Sequence, residues 1–255
     1  MPHKVETGAS ALRGEMSESL GDAPAARVER HDGWGELVLS RPRRRNALTG
    51  PLVAGLRAGL ADLLAGGARV VLLRGEGGAF CSGLDLAEFG ANPAPEWRES
   101  FPESWAALHR ELYDCKAVIV GALERFAING GASLALACDL LVAGEGAWLQ
   151  VGEAALGMAA PMNIAWLRLR TSEAIAAQLC LGADRVAAPD LRRLGLAYRV
   201  VADAAVLAEA QTLAARLAGF PNPGLAGIKA ALRRAVGGGA GVFAVQANPA
   251  GVDPA

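Results

Sequence analysis

The segment AINGGASLALACDLL, residues 127–141, sets the first question, because two adjacent glycines, Gly130 and Gly131, interrupt an apolar run near its start. Glycine loses more conformational freedom on ordering than any other residue, so a chain that is burying side chains needs a physical reason to place two of them there. One reading is a tight turn that leads into a helix. The other is a helix start whose bare backbone N–H groups face a negative oxygen, with the helix dipole adding to the attraction. The segment by itself leaves both open.

Working outward, a second glycine-bearing segment, GEGGAFCSGLDLAEF (75–89), directly follows the apolar run ARVVLLRG (68–75). That run and KAVIVGAL (116–123) are continuous apolar stretches, as expected for strands covered on both faces. GELVLS (35–40) reads as another short strand. RPRRRNALT then leads through Thr49 and Pro51, a cap and first-turn pair, into a helix over 51–65 that Gly66 and Gly67 end. This order of elements predicts an α/β fold. From 162 to 236 the pattern is mainly helical, with LAYRVVA (196–202) allowing one more short strand. No fixed-period repeat is visible, and GGGAG (237–241) reads as a flexible joint. Neither glycine segment is G-x-G-x-x-G and neither carries a Walker lysine, so dinucleotide and P-loop readings fail. What remains is either two turns that only reverse the chain or two loop-to-helix junctions whose N–H groups converge on one oxygen.

Composition narrows the classes further. The chain has 255 residues, 52% of them hydrophobic, enough for one large domain with a sizeable core. A formal charge of −1 gives no net drive toward nucleic acid or anionic lipid, although Arg43, Arg44 and Arg45 form a local basic run. The four cysteines, Cys81, Cys115, Cys138 and Cys180, are too widely spaced for a zinc site or a disulfide framework, so no metal is expected and reduced thiols are. Residues 1–25 mix acids and bases with small residues and fit neither a signal peptide nor a transit peptide; a mobile tail is expected there. Glycine or charge interrupts every apolar stretch before the roughly 18–20 residues a membrane span needs. The expectation is a soluble, cytoplasmic protein without membrane or nucleic-acid partners.

Four segments in order, SRPRRRNALT (40–49), AFCSGLDLAEF (79–89), GGASLALACDLLVAGEGA (130–147) and GEAALGM (152–158), together resemble the crotonase (enoyl-CoA hydratase/isomerase) superfamily. The resemblance covers residues 30–236. It implies an α/β, crotonase-like spiral of ββα turns over 26–200 and a C-terminal helical region from 201 that builds homotrimers or dimers of trimers. It also implies an acyl-CoA substrate, with coenzyme A as part of that substrate and no separate cofactor. In that chemistry an enolate oxygen sits on two N–H groups, which by motif position are those of Leu84 and Gly130; such a donor is worth roughly 10²–10³ in rate. CoA contacts fall by the same resemblance on Arg43, Arg44 and Arg45 for phosphate, and on Ala47, Leu48, Ser82, Leu84, Leu86 and Ala87 for the rest of the molecule.

The acid and base positions depart from the family pattern. Hydratases of the family carry a glutamate three residues after the oxyanion glycine and a second twenty residues later; here these are Ser133 and Glu153. A serine hydroxyl is no base near neutral pH, whereas one glutamate can take a proton from one carbon and return it to another. Double-bond isomerisation is therefore expected first. Hydration, decarboxylation or other carbon–carbon bond chemistry, and non-catalytic acyl-CoA binding follow. Asp85 either reaches the acyl pocket or caps a helix. A serine hydrolase comes last, because GGASLA lacks G-x-S-x-G and no histidine accompanies Ser133: His3 lies in the tail, His31 precedes the first strand, and His109 is in a helical segment. Pro161, Met162 and Trp166 either reshape an acyl pocket or belong to the core.

Overall fold

The computed structural model describes residues 24–235 and Phe243. The expected tail up to residue 23, with His3, and the joint at 237–241 lie outside the described residues. The strands are β1 (Ala26–His31), β2 (Trp34–Leu39), β3 (Val70–Gly75), β4 (Val118–Leu123), β5 (Phe126–Ile128), β6 (Leu140–Gly144), β7 (Trp148–Gln150), β8 (Arg185–Ala187) and β9 (Arg199–Val201). Six of them form one sheet in the order β1-β2-β3-β4-β6-β9, antiparallel between β1 and β2 and parallel thereafter. The other three form a small sheet, β5-β7-β8.

The helices are α1 (Gly50–Ala65), the single turn α2 (Leu86–Phe89), α3 (Phe101–Asp114), α4 (Gly130–Ala137), α5 (Pro161–Arg170), α6 (Glu173–Gly182), α7 (Ala188–Arg193), α8 (Val206–Ala218) and α9 (Gly224–Ala235). Helix α1 begins as its sequence requires. The Thr49 hydroxyl accepts from the Leu52 N–H at 3.4 Å, Pro51 occupies the first turn, and Leu52, Val53, Leu56, Leu60 and Leu63 recur on the buried face.

The continuous apolar runs divide by parity. Val70 and Leu72 of β3, with Val118 and Val120 of β4, pack against Val206, Ala210, Leu213 and Leu217 of α8. Val71, Leu73 and Ile119 face the opposite way, into the larger cluster that holds α1, α3, α4 and α5. Successive strand residues point to opposite faces, so a strand with helices on both sides has no position for an exposed polar side chain. Observed strand starts fall one or two residues from those expected at 35, 68 and 116. Strands β1, β5, β6, β7 and β8 have no counterpart among the strands expected from the sequence.

Candidate active site

Three backbone segments meet around the second glycine loop. The N–H of Leu48 donates to the Gly83 carbonyl at 2.8 Å, and Asp85 N–H donates to Leu48 at 2.9 Å, which makes Leu48 and Leu84 a one-residue parallel bridge. On the other side, Ile128 N–H donates to the Cys81 carbonyl at 3.0 Å, with Cys81 and Ala127 bridged. Buried Asn46 anchors the assembly: its Nδ2 donates to Glu76 at 2.9 Å and Ala79 at 2.7 Å, and its Oδ1 accepts from Arg41 N–H at 2.9 Å.

The glycines are required by this contact. Gly83 has φ +87°, and a Cβ there would lie 2.9 Å from the Ile128 carbonyl oxygen; a Cβ on Gly131 would lie 2.5 Å from that of Cys81. Side chains at either position would push the two loops apart. The segments of Leu84 and Gly130 are thereby held together, both residues half-buried, and neither N–H donates to any described residue. Gly130 opens α4, so its N–H is one of the donors a helix start leaves unpaired.

Ser133, one turn into α4, is fully buried, and its hydroxyl donates to the Gly130 carbonyl at 2.8 Å. The expectation that no histidine accompanies it is corrected: His109 Nε2 of α3 lies 3.3 Å from Ser133 Oγ. Twenty-four residues separate the pair in sequence, and the packing of α3 on α4 joins them. The polarity is wrong for nucleophile activation, however. Trp166 Nε1–H, which can only donate, gives its bond to His109 Nδ1 at 2.8 Å, so the neutral ring carries its proton on Nε2. Burial lowers the His109 pKa to about 3, which keeps that ring neutral. Trp166, His109 and Ser133 thus form a chain of donors that ends on a carbonyl, with no base in it.

Glu153 opens a single 3₁₀ turn, Glu153–Leu156, and is 8% exposed. Its Oε1 accepts from Asn163 Nδ2 of α5 at 2.8 Å, whereas Oε2 is buried with no partner among the described residues. Burial raises its pKa to about 7 against the weaker opposing effects of its own backbone N–H and Asn163. The same Asn163 nitrogen donates to the Asn129 carbonyl at 3.1 Å, so Glu153 is tied to the residue that precedes Gly130. Asn129 adopts φ +52° and accepts the Gly152 N–H on Oδ1 at 2.8 Å.

Asp85 is a cap. It accepts from Glu88 N–H at 3.2 Å and from Arg44 at 2.8 and 3.2 Å, and Arg41 Nη1 lies at 3.2 Å. Burial would raise its pKa, but the Arg44 bonds, the cap and the two positive charges lower it overall. Arg44 is therefore engaged, whereas Arg43 and Arg45 are exposed at the same turn and form no ion pair among the described residues. Ala47 and Leu48 are buried, Ser82 half-buried, and Leu86 and Ala87 exposed. Met162 and Trp166 belong to the core, and Pro161 is exposed.

Sequence reasoning missed His109, Asn163, Arg41 and the anchoring role of Asn46. Asn163 had a readable signal, since a lone amide inside PMNIAWL must find a partner if it is buried. The one grouping of metal-type ligands among the described residues, Glu29, His31 and Glu36, includes none of the site residues, and Arg74 occupies both of its carboxylates. A cavity of about 1100 Å³ between α1, α3 and residues 220–226 touches none of the site residues; of its six charged wall residues, Arg57 and Glu111 pair with each other at 2.6 Å.

Comparison with known proteins gives a consistent set of similarities. The model of the family described as enoyl-CoA hydratase/isomerase matches residues 29–248. A probable enoyl-CoA hydratase of Rhodobacter capsulatus is 31% identical over 206 residues, 80% of this chain and 79% of that protein. An enoyl-CoA hydratase structure from Polaromonas superposes with a TM-score of 0.75 at 30% identity and covers 84% of each chain. A Thermobifida fusca structure with CoA bound also scores 0.75 at 30% identity and covers 83% of this chain and 85% of its own; the same source supplies a complex with acetoacetyl-CoA.

Proposed function

The chain belongs to the enoyl-CoA hydratase/isomerase family, and from that premise we propose that it shifts the double bond of an enoyl-CoA thioester, with Glu153 as the single group that removes and returns the proton. Its α/β architecture is the crotonase fold of its solved relatives. The thioester carbonyl oxygen is placed on the N–H groups of Leu84 and Gly130, where charge developing in the enolate meets fixed donors. The Glu153 carboxylate takes a proton from C2 of a 3-enoyl chain. The C2–H electrons form the C2=C3 bond and the C3=C4 pair accepts the same proton at C4, so nothing is gained or lost.

The observation that carries this reading is a single buried carboxyl group, Glu153, with a pKa of about 7, while the family's first acid position is Ser133, whose hydroxyl is already committed to a carbonyl. A base with a pKa near the working pH suits a proton that must leave and come back. Purified protein is expected to convert a 3-enoyl-CoA to the conjugated 2-enoyl-CoA, followed by ultraviolet absorbance, and Glu153→Gln to lower kcat by about 10²–10⁴. Unchanged turnover in that variant overturns the mechanism.

Hydration is the second reading, favoured by the names of the relatives. It needs a group to activate water, and because Asp85 is engaged by Arg44 and the Glu88 N–H, that role would also fall to Glu153. Loss of conjugated absorbance from a 2-enoyl-CoA, with mass gain of one water, would replace isomerisation by hydration. We infer a cytoplasmic location along with this function: the four cysteines are unbridged, and among the described residues no helix is long and apolar enough to cross a membrane. A homotrimer or dimer of trimers is inferred from the family resemblance. Arg43 and Arg45, without ion pairs among the described residues, are the better candidates for CoA phosphates than Arg44, which a phosphate would have to win from Asp85.

A further inference from the structure

We propose that Asn163 is a positioning residue that couples the two halves of the site, its one amide nitrogen holding the Glu153 carboxylate and the Asn129–Gly130 peptide unit together. The proposal rests on the roles given above to Glu153 and Gly130.

Asn163 lies in α5 and is 2% exposed. Its Nδ2 donates to Glu153 Oε1 at 2.8 Å and to the Asn129 carbonyl at 3.1 Å. The amide orientation is fixed by chemistry. With the amide reversed, Oδ1 would oppose a backbone carbonyl, and two acceptors cannot bond. Asn163 Oδ1 remains buried without a partner among the described residues. An apolar side chain of similar volume would avoid that cost, so the donor end is what the position gains.

The Asn129 carbonyl and the Gly130 N–H belong to one peptide unit. Donors on the carbonyl, Asn163 Nδ2 and Ser133 N–H, both at 3.1 Å, draw electron density from the unit and make its N–H a stronger donor to an anionic oxygen. At the other end, Asn163 occupies Oε1 and leaves Oε2 as the oxygen that exchanges a proton. One side chain thus sets which carboxylate atom reacts and how strongly the oxyanion donor binds.

The groups around Glu153 do not confuse its titration. Cys180 of α6 is the other ionisable neighbour; burial first, and then the charge of Glu153, raise its thiol pKa to about 11. It stays neutral through the range in which Glu153 ionises. The Glu153 backbone N–H and Asn163 on α5 are neutral donors that lower its pKa.

Two variants test the coupling, Asn163→Leu, which keeps volume, and Asn163→Asp, which keeps shape and loses the shared donor. The carboxyl midpoint of Glu153, read by NMR in protein labelled with ¹³C-glutamate and assigned through Glu153→Gln, is expected to rise by about one pH unit in both. The Gly130 amide proton is expected to move upfield. With a 3-enoyl-CoA, kcat is expected to fall by about 10–100-fold while KM stays within about 3-fold, and the acid limb of the kcat profile to follow the carboxyl midpoint. A folded variant in which the Glu153 midpoint and the Gly130 shift do not move overturns the proposal, even if activity falls. If both move but no thioester is turned over by the parent protein, the coupling stands and the assigned reaction is what fails.

Discussion

Glu153 has a proton affinity set by burial on one side and by its own backbone N–H and the Asn163 amide on the other, and this has consequences for rate and stability together. Its carboxyl must ionise to act as base, so kcat is expected to rise with pH through about 7 and then level off. The effect on stability has the opposite sign. A pKa above the usual 4.5 means the fold favours the protonated acid, so stability is lost as pH rises from 4.5 through about 7. Glu153→Gln removes that penalty and is expected to stabilise the protein by about 1–3 kcal/mol at pH 8 and by almost nothing at pH 4.5; paired thermal melts at the two pH values check it. At this scale the sequence exposes single residues with a strong local signature. The glycines at 83, 130 and 131 stand out, and so does Glu153 once the family pattern is recognised. Pairings made by packing do not show: nothing near Ser133 in the chain points to His109, which arrives from α3.

Among elements, β2 carries the sharpest electrostatic commitment. Glu36, fully buried in that strand, is held by Arg74 of β3 and by Gln211 Nε2 of α8 at 2.8 Å. Burial would raise its pKa, but the bonds from Arg74 and Gln211 lower it overall, so its contribution is full above the ordinary glutamate range and fades as pH falls below 4.5. Arg74→Leu removes the guanidinium from the buried carboxylate, leaving it Gln211 and the His31 ring at 3.4 Å, and is expected to cost about 3–5 kcal/mol. The double change Glu36→Leu with Arg74→Leu is expected to recover most of it, as measured by urea unfolding. Elements with a cap or a long periodic face were legible, α1 through Thr49, Pro51 and its leucines. Strands of three residues such as β5, β7 and β8 are too short to show a period, and tertiary pairing alone defines them.

For the whole molecule, the helical tail read from the sequence divides into two parts with different surroundings. Helix α8 closes the second face of the main sheet, so it is part of the core and not an appendage. Helix α9 is anchored by Lys229, which donates to the Ala117 carbonyl at 2.7 Å and pairs with Asp139 at 2.7 Å, and by Arg233, which meets the other oxygen of Asp139 at 3.0 Å. Ile228 and Leu232, one turn apart on its outer side, are 63% and 64% exposed. Burying two such side chains between copies is worth roughly 1.5–3 kcal/mol each, which is ample to matter in a threefold assembly. The inferred homotrimer or dimer of trimers is therefore expected to use this face, with light scattering reading three or six chains per particle. Ile228→Asp combined with Leu232→Asp is expected to release single chains that keep their circular dichroism. A parent protein that is a monomer at micromolar concentration overturns the inferred assembly; an oligomer that survives both substitutions moves the interface away from α9.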